Sequence, residues 1–461
     1  MRGQSLVGPV ILIVLGGAFL VNNIRPDLNF FAFVATYWPF LLIAMGVLRL
    51  LEILAYAASS KPLPTRGLSG GEIFLVILVV IIGTGMFEGR RVFAERRFPW
   101  HRGTIDMFGD SFDYPIAQQK AIGEKSRILF DNVRGNVRVS GGDLAEIKIS
   151  GRKTVRAFGK TEADKIHEQS PFEIITEGDR VIVRTNQERI PDERRVTADL
   201  EVTVPRGASV EGRGRHGDFD ITGIGGGVEI VSDNSGVRLN KLGGNVRVDV
   251  KRSDLVRAID VTGSVEVTGR GNDMEIENVQ GPVTVNGSFG GNLEFKNLAK
   301  PFHFESRNTD LRVERLPGRV TMDLGALTGI DMVGPISLTA KSRDVKLEEF
   351  TQSLQLDLER GDIELRPHNV PVAKMDVRCR NVGNIELTLP AQAKFELSAS
   401  TDKGEVRNDY GPEINKVDNE GRSSSMKSRT SGGPLVQVST ARGTVTVRSG
   451  GSASARPAEK E

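Results

Sequence analysis

From His216 onward the chain alternates apolar and polar positions in short triplets separated by Gly, Asn, Asp or Ser. The series opens with Phe219-Asp220-Ile221, Val228-Glu229-Ile230, Val237-Arg238-Leu239 and Val246-Arg247-Val248. It continues through Val265-Glu266-Val267, Met274-Glu275-Ile276, Val283-Thr284-Val285, Leu293-Glu294-Phe295, Phe302-His303-Phe304, Leu311-Arg312-Val313 and Val320-Thr321-Met322 to Ile363-Glu364-Leu365. A period of two means strands, with the outer two residues of each triplet turned inward and the middle one outward. The triplets recur about every 9 residues and the best-matched ones about every 18, the self-similarity of a solenoid. Strands this short bury nothing alone, but rungs stacked at about 4.8 Å build continuous ladders of Val, Ile, Leu and Phe. The fold predicted is mostly β: a single-stranded parallel β-helix (β-solenoid) of about 18 residues per coil, with roughly ten coils over residues 216 to 390 and a length on the order of 45 Å.

An antiparallel β-sandwich also uses short strands at this spacing. The doubled period favours the coil, as does an outward column, Asp220, Arg238, Glu275, Glu294, Arg312, Lys346 and Glu364, whose signs largely compensate. The register falters at Leu255 to Val261 and at Leu327 to Val333, which read as bulged coils or insertions. Before the regular coils come looser strands at Ile128-Leu129-Phe130, Val137-Arg138-Val139 and Ile147-Lys148-Ile149, a short helix over Thr161 to Gln169, and strands at Phe172 to Thr176, Val181 to Thr185 and Leu200 to Val204. After Pro390 the chain offers Phe395-Glu396-Leu397, a Ser-rich stretch, and final strands at Val436-Gln437-Val438 and Val445-Thr446-Val447.

The first hundred residues have a different pattern. Leu6 to Val21 and Ile73 to Phe87 are uncharged, and Phe30 to Ala58 is apolar apart from Arg49 and Glu52, which predicts a bundle of three transmembrane helices. Asn22-Asn23-Ile24-Arg25 after the first run offers no small-x-small cleavage pattern, so a signal peptide is disfavoured. Trp38 suits an interface anchor, and Arg90, Arg91, Arg96 and Arg97, interleaved with Phe93, Phe98 and Trp100, suit a membrane-interface segment facing anionic headgroups; a solvated linker is the alternative. The domains expected are 1–103 (spans and basic segment), 104–125 (linker), 126–448 (solenoid) and 449–461 (disordered tail). By the positive-inside rule the arginine cluster is cytoplasmic, although large domains are translocated with limited regard to charge.

With 61 Lys+Arg against 59 Asp+Glu, a net charge of +2, and only 4 Tyr and 2 Trp, the chain has neither the field nor the stacking platforms that nucleic acid demands. Cys379 is the single cysteine, which excludes an intramolecular disulfide or a thiolate cage. The five histidines, His101, His167, His216, His303 and His368, show no i,i+4 pair, so metal ligation is not expected and no cofactor is called for. Asp218, Asp254, Asp273, Asp310, Asp344 and Asp362 each precede a strand; they lack the glycine register of calcium-binding repeats and read as turn caps. Lys251, Arg252, Asp254 and Arg257 are the densest polar set, without the paired acids of a polysaccharide-cleaving site. Gly223 to Gly227 and Gly287 to Gly291 open no helix and read as coil corners rather than phosphate cradles.

The segments Asp131 to Val139 (DNVRGNVRV), His216 to Ile221 (HGDFDI) and Ala441 to Val447 (ARGTVTV), with Asn408-Asp409-Tyr410 near the end, resemble the strands of the bacterial "putative adhesin" family, a β-solenoid family of unknown function. Gly16 to Asn23 and Trp38 to Ile43 resemble the LiaI-LiaF-like transmembrane region of envelope-stress proteins. These resemblances imply a right-handed coil and a multi-pass protein of the bacterial cytoplasmic membrane that presents the solenoid within the cell envelope. The function expected is non-enzymatic: a structural, adhesive or interaction module, with a membrane sensor or regulator of envelope stress as the alternative. The partners expected are the lipid bilayer, a membrane protein or second copy packed against the small residues of the spans, and an envelope polymer.

Overall fold

The computed structural model describes residues 109–368, 372–391, 393–418, 423–428 and 432–450. The three predicted spans, Trp38, Arg90, Arg91, Arg96, Arg97 and Trp100, and the tail after residue 450 lie outside the described residues. Among the described residues no helix is long and apolar enough to cross a membrane.

The triplets form two faces of stacked parallel strands. On face I, Val228, Val246, Val265, Val283 and Phe302 occupy one register position of successive coils, and on face II Val237, Val256, Met274 and Leu293 do so. All nine are buried, as are their partners two residues on, so each coil closes over a core one side chain deep from either face. Full burial of such a side chain is worth about 1.5–3 kcal/mol, which explains why the inward positions are aliphatic or Phe almost throughout. Residues 255–261 are not an insertion. Val256-Arg257-Ala258 forms a regular rung between Val237 and Met274; the small Ala258 conceals it in the sequence.

The stack is not parallel throughout. After Phe302–Glu305 the chain turns back, and Thr309–Met322 runs antiparallel to both Phe302–Glu305 on face I and Leu293–Leu298 on face II. It then reverses again into Ala326–Ser342, which pairs antiparallel with Thr309–Met322 and parallel with the next coil. Leu311-Arg312-Val313 and Val320-Thr321-Met322 are therefore rungs of a single reversed coil, and residues 327–333 are its returning strand. These two long strands cross from one face to the other and join both into one sheet. Arg312 leaves the predicted charge column, because it sits on face I between His303 and Ser337.

Both ends are nested. The coil at residues 127–142 lies between the coil at 209–222 and the strands at 180–205, although it comes first in the chain. At the other end the coil formed by Leu435–Arg442 and Val445–Gly450 lies between Met375–Pro390 and Glu396–Asp409, both of which precede it. Outside the first nest, residues 110–121 form a strand antiparallel to Glu146–Ala157 rather than a linker. Pro115 within it argues against a central strand and is tolerated because this strand is an edge, where it also blocks further pairing.

Candidate functional site

The corners between strands are set by two columns of side chains. In the first, Asp and Asn oxygens accept the backbone N–H of the following coil. Ahead of the face II strands, Asp218 Oδ1 accepts from Gly236 at 2.9 Å, Asp273 Oδ1 from Asn292 at 2.9 Å, Asp344 Oδ1 from Asp362 at 2.9 Å and Asp362 Oδ1 from Asn384 at 2.8 Å; at the opposite corner, ahead of a face I strand, Asn245 Oδ1 does the same for Ser264 at 3.0 Å. The predicted caps at 218, 273, 344 and 362 are thus caps of the neighbouring coil rather than of their own turn. Asp310 instead meets His303 Nε2 at 3.1 Å and Arg312.

The second column has left-handed backbone. Lys241 (φ 55°), Asp260 (58°), Asn278 (57°) and Asn297 (50°) stand at one corner of successive coils, each followed by a buried Leu or Val. Asn278 Nδ2 donates to Asp260 Oδ1 at 2.9 Å and Asn297 Nδ2 to Asn278 Oδ1 at 2.8 Å. Asn and Asp tolerate this conformation; Lys241 does not gain that relief. The spacing of Asp260, Asn278 and Asn297 was visible in the sequence, and its regular repeat just after each face II triplet was the signal available.

The outward side chains are committed largely to one another. Arg138 lies 3.5 Å from Glu201 and 3.4 Å from Asp220, Arg238 2.8 Å from Asp218, Arg257 2.9 Å from Glu275, and Lys346 3.3 Å from Glu364. Lys251 and Arg257 do not converge: Lys251 pairs with Asp233 at 2.6 Å near a face I strand end, whereas Arg257 is on face II. Several shallow grooves lie over the described surface, among them the following two. One on face II, of about 450 Å³, is lined by Arg138, Arg152, Glu201, Asp220 and Arg238. The other on face I, of about 750 Å³ beside the reversed coil, is lined by His303, Arg312, Ser337, Gln355, Lys374 and Asp376. Both carry side chains of opposite charge on open strand surfaces.

The densest titratable set lies outside the coils, where the helix Lys160–Gln169 packs Ala163 and Ile166 against Val155, Ala157 and Val196. Lys153, 2% exposed, donates to the carbonyls of His167 at 2.9 Å and Ser170, closing the C-terminal end of the helix. Burial pushes the Lys153 ammonium down to about 8. Tyr114 stacks on His167 with ring centroids 4.0 Å apart and donates to Asp164 Oδ1 at 2.7 Å; burial, then Asp164, pushes its hydroxyl up to about 12. Burial, then the Lys153 charge, lowers the His167 imidazole. Cys379 points into the core, where burial raises its thiol. Among the described residues no group of three or more His, Cys, Asp and Glu side chains is placed to hold a metal ion. Of the two glycine clusters, Gly223 and Gly290-Gly291 sit at corners, whereas Gly287 lies within the strand Val283–Phe289 against Gly269.

No curated protein matches the sequence. The chain is similar to a solved "putative cell adhesion protein" from Clostridium sporogenes at 8% identity, covering 73% of this chain and 100% of that one with a TM-score of 0.17. It is also similar to a "putative adhesin" from Parabacteroides distasonis (10% identity, 73% and 97% coverage, TM-score 0.22) and to one from Bacteroides fragilis (9%, 73% and 97%, TM-score 0.21). Family membership rests on the sequence match to the Toastrack DUF4097 family model at residues 198–448. These residues run from within the strand Val196–Pro205 to within Val445–Gly450, the last described strand, more than half of the chain's 461 positions, and the protein belongs to the Toastrack DUF4097 family.

Proposed function

We propose that this chain is a membrane-anchored, non-enzymatic module of the bacterial cell envelope whose stacked faces bind an extended partner, an envelope polymer or protein. The observation that carries this reading is the pair of long outward faces in which charged side chains neutralise one another between coils, leaving regular rows of polar groups over a packed core. The anchor is read from the three apolar runs before residue 90, with Trp38, Arg90, Arg91, Arg96, Arg97 and Trp100 at the membrane surface. A compartment reporter fused after Glu461, combined with protease access to intact spheroplasts, tests it. Exposure of the solenoid outside the cytoplasm supports an adhesive or structural role. A cytoplasmic solenoid, which the arginine cluster favours, removes that role and leaves the sensor or regulator of envelope stress that the N-terminal resemblance suggests.

A further inference from the structure

The two nests differ in how they can be made. At the N-terminal end the coil at 127–142 exists before its neighbours, which add to its two free edges in turn. At the C-terminal end both neighbours of the last coil precede it, so Leu435–Gly450 enters a slot whose walls, Met375–Pro390 and Glu396–Asp409, are already part of the chain. Without that coil, the facing edges of the wall strands lack their parallel partner on both faces. Such edges are templates for any chain of matching pattern.

The slot is specific. Val436, Val438, Val445 and Val447 fill it, each no more than 1% exposed. Thr444 N donates to Asn384 Oδ1 at 3.0 Å and Thr440 Oγ1 to the Gly383 carbonyl at 2.9 Å on one wall, while Thr401 Oγ1 on the other wall donates to the Gly443 carbonyl at 3.0 Å. Arg448 spans the slot, 2.5 Å from Glu386 and 3.6 Å from Asp409. A direct collapse of the walls onto each other would lose every one of these contacts. The segment that satisfies them is this coil, whether from the same copy or another.

We propose that the slot also accepts the C-terminal coil of a second copy, so that the protein forms dimers by reciprocal exchange of residues 435–450. Exchange replaces each internal contact by the same contact between copies and is settled at the moment of insertion. Once closed, each coil is held on both sides and swapped and unswapped forms do not readily interconvert. This inference is independent of the membrane reading.

The test uses full-length chains carrying Cys379→Ala. Register pairs Arg378 with Ser439 and Glu386 with Thr446 at neighbouring-strand separation, within disulfide reach. Arg378→Cys and Ser439→Cys are placed on separate, differently tagged copies made in one cell, and Glu386→Cys and Thr446→Cys likewise. Exchange predicts a disulfide-linked dimer carrying both tags, at least about tenfold more abundant than when the same variants are made separately and mixed. No excess over the separately made mixture, with the corresponding double-cysteine variant closing within one chain, overturns the proposal. Failure of both double variants to close contradicts the pairing itself and overturns it as well.

Discussion

The parallel coils and the one reversed coil solve the same problem by different means. In the parallel stacks each corner repeats directly above the last, so one side chain serves the coil beyond it: Asp344 supports Asp362, which supports Asn384, which supports Thr444. The reversed strand Thr309–Met322 carries no such repeat, and the left-handed column resumes only beyond it, at Asp331 and Glu349. The turn that follows this strand is stabilised from within, Asp323 Oδ1 accepting from Gly325 and Ala326 at 2.7 Å each. Parallel stacking therefore couples neighbouring coils through corner side chains, whereas the reversed coil's turn takes its side-chain cap from its own Asp323 and joins the next coil through backbone, Asp344 N–H donating to the Gly325 carbonyl at 2.8 Å.

The contrast is open to attack by substitution. The largest effect is expected from Gly269→Ala in a parallel coil: φ is +127° and the new Cβ would lie 1.7 Å from the Val250 carbonyl oxygen. A loss of about 3 kcal/mol or more in chemical denaturation is expected, against little change for Gly325→Ala in the reversed coil's turn, whose nearest neighbour is 3.7 Å away. Equal losses would abolish the distinction. Lys153 provides a reference outside both regions. Because its folded value is near 8 and its unfolded value near 10.5, the unfolded chain binds more protons between these limits and stability rises with pH across them. The rise is on the order of 2 kcal/mol and should vanish in Lys153→Met, with neither stack nor reversed coil responsible for it.

Asp362→Ala should cost about 1–1.5 kcal/mol and increase amide exchange at Asn384 in the next coil, a remote effect that Asp323→Ala must not reproduce beyond its own turn. Lys241→Gly should stabilise by about 1 kcal/mol by relieving left-handed backbone, whereas Asn278→Gly should gain less and lose the side-chain ladder. The smallest effect concerns Asp323, whose carboxyl is held below its ordinary value by the N–H groups of Ala326 and Gly325. The stability it contributes is present above the unfolded carboxyl value and is lost as pH falls through the folded one. Asp323→Ala should flatten that acid limb in a thermal-unfolding series.

Much of this architecture was legible because burial imposes period two whatever the fold. Val228-Glu229-Ile230 and its successors announce strands, and their doubled spacing announces coils. Strand direction leaves no trace in such a pattern: Leu311-Arg312-Val313 reads the same in a reversed coil as in a forward one. Spatial order is equally hidden, since nothing in Val436-Gln437-Val438 says that it enters between earlier coils. The Asp corners at 218, 273, 344 and 362 were readable as caps, but not as caps of the next coil, because their partners are 18 to 22 residues away. The polar set at 251–257 looked dense only in one dimension; folding sends Lys251 and Arg257 to different faces.

The inserted last coil has a mechanical consequence. A tug on the carboxyl end does not peel away an outermost strand one bond at a time. It loads both seams of Val445–Gly450 together, in shear along a strand clamped from above and below, before it reaches the two seams of Leu435–Arg442. A rod fastened in this way yields late and abruptly under tension, a useful trait for anything that must hold on while the surface around it moves.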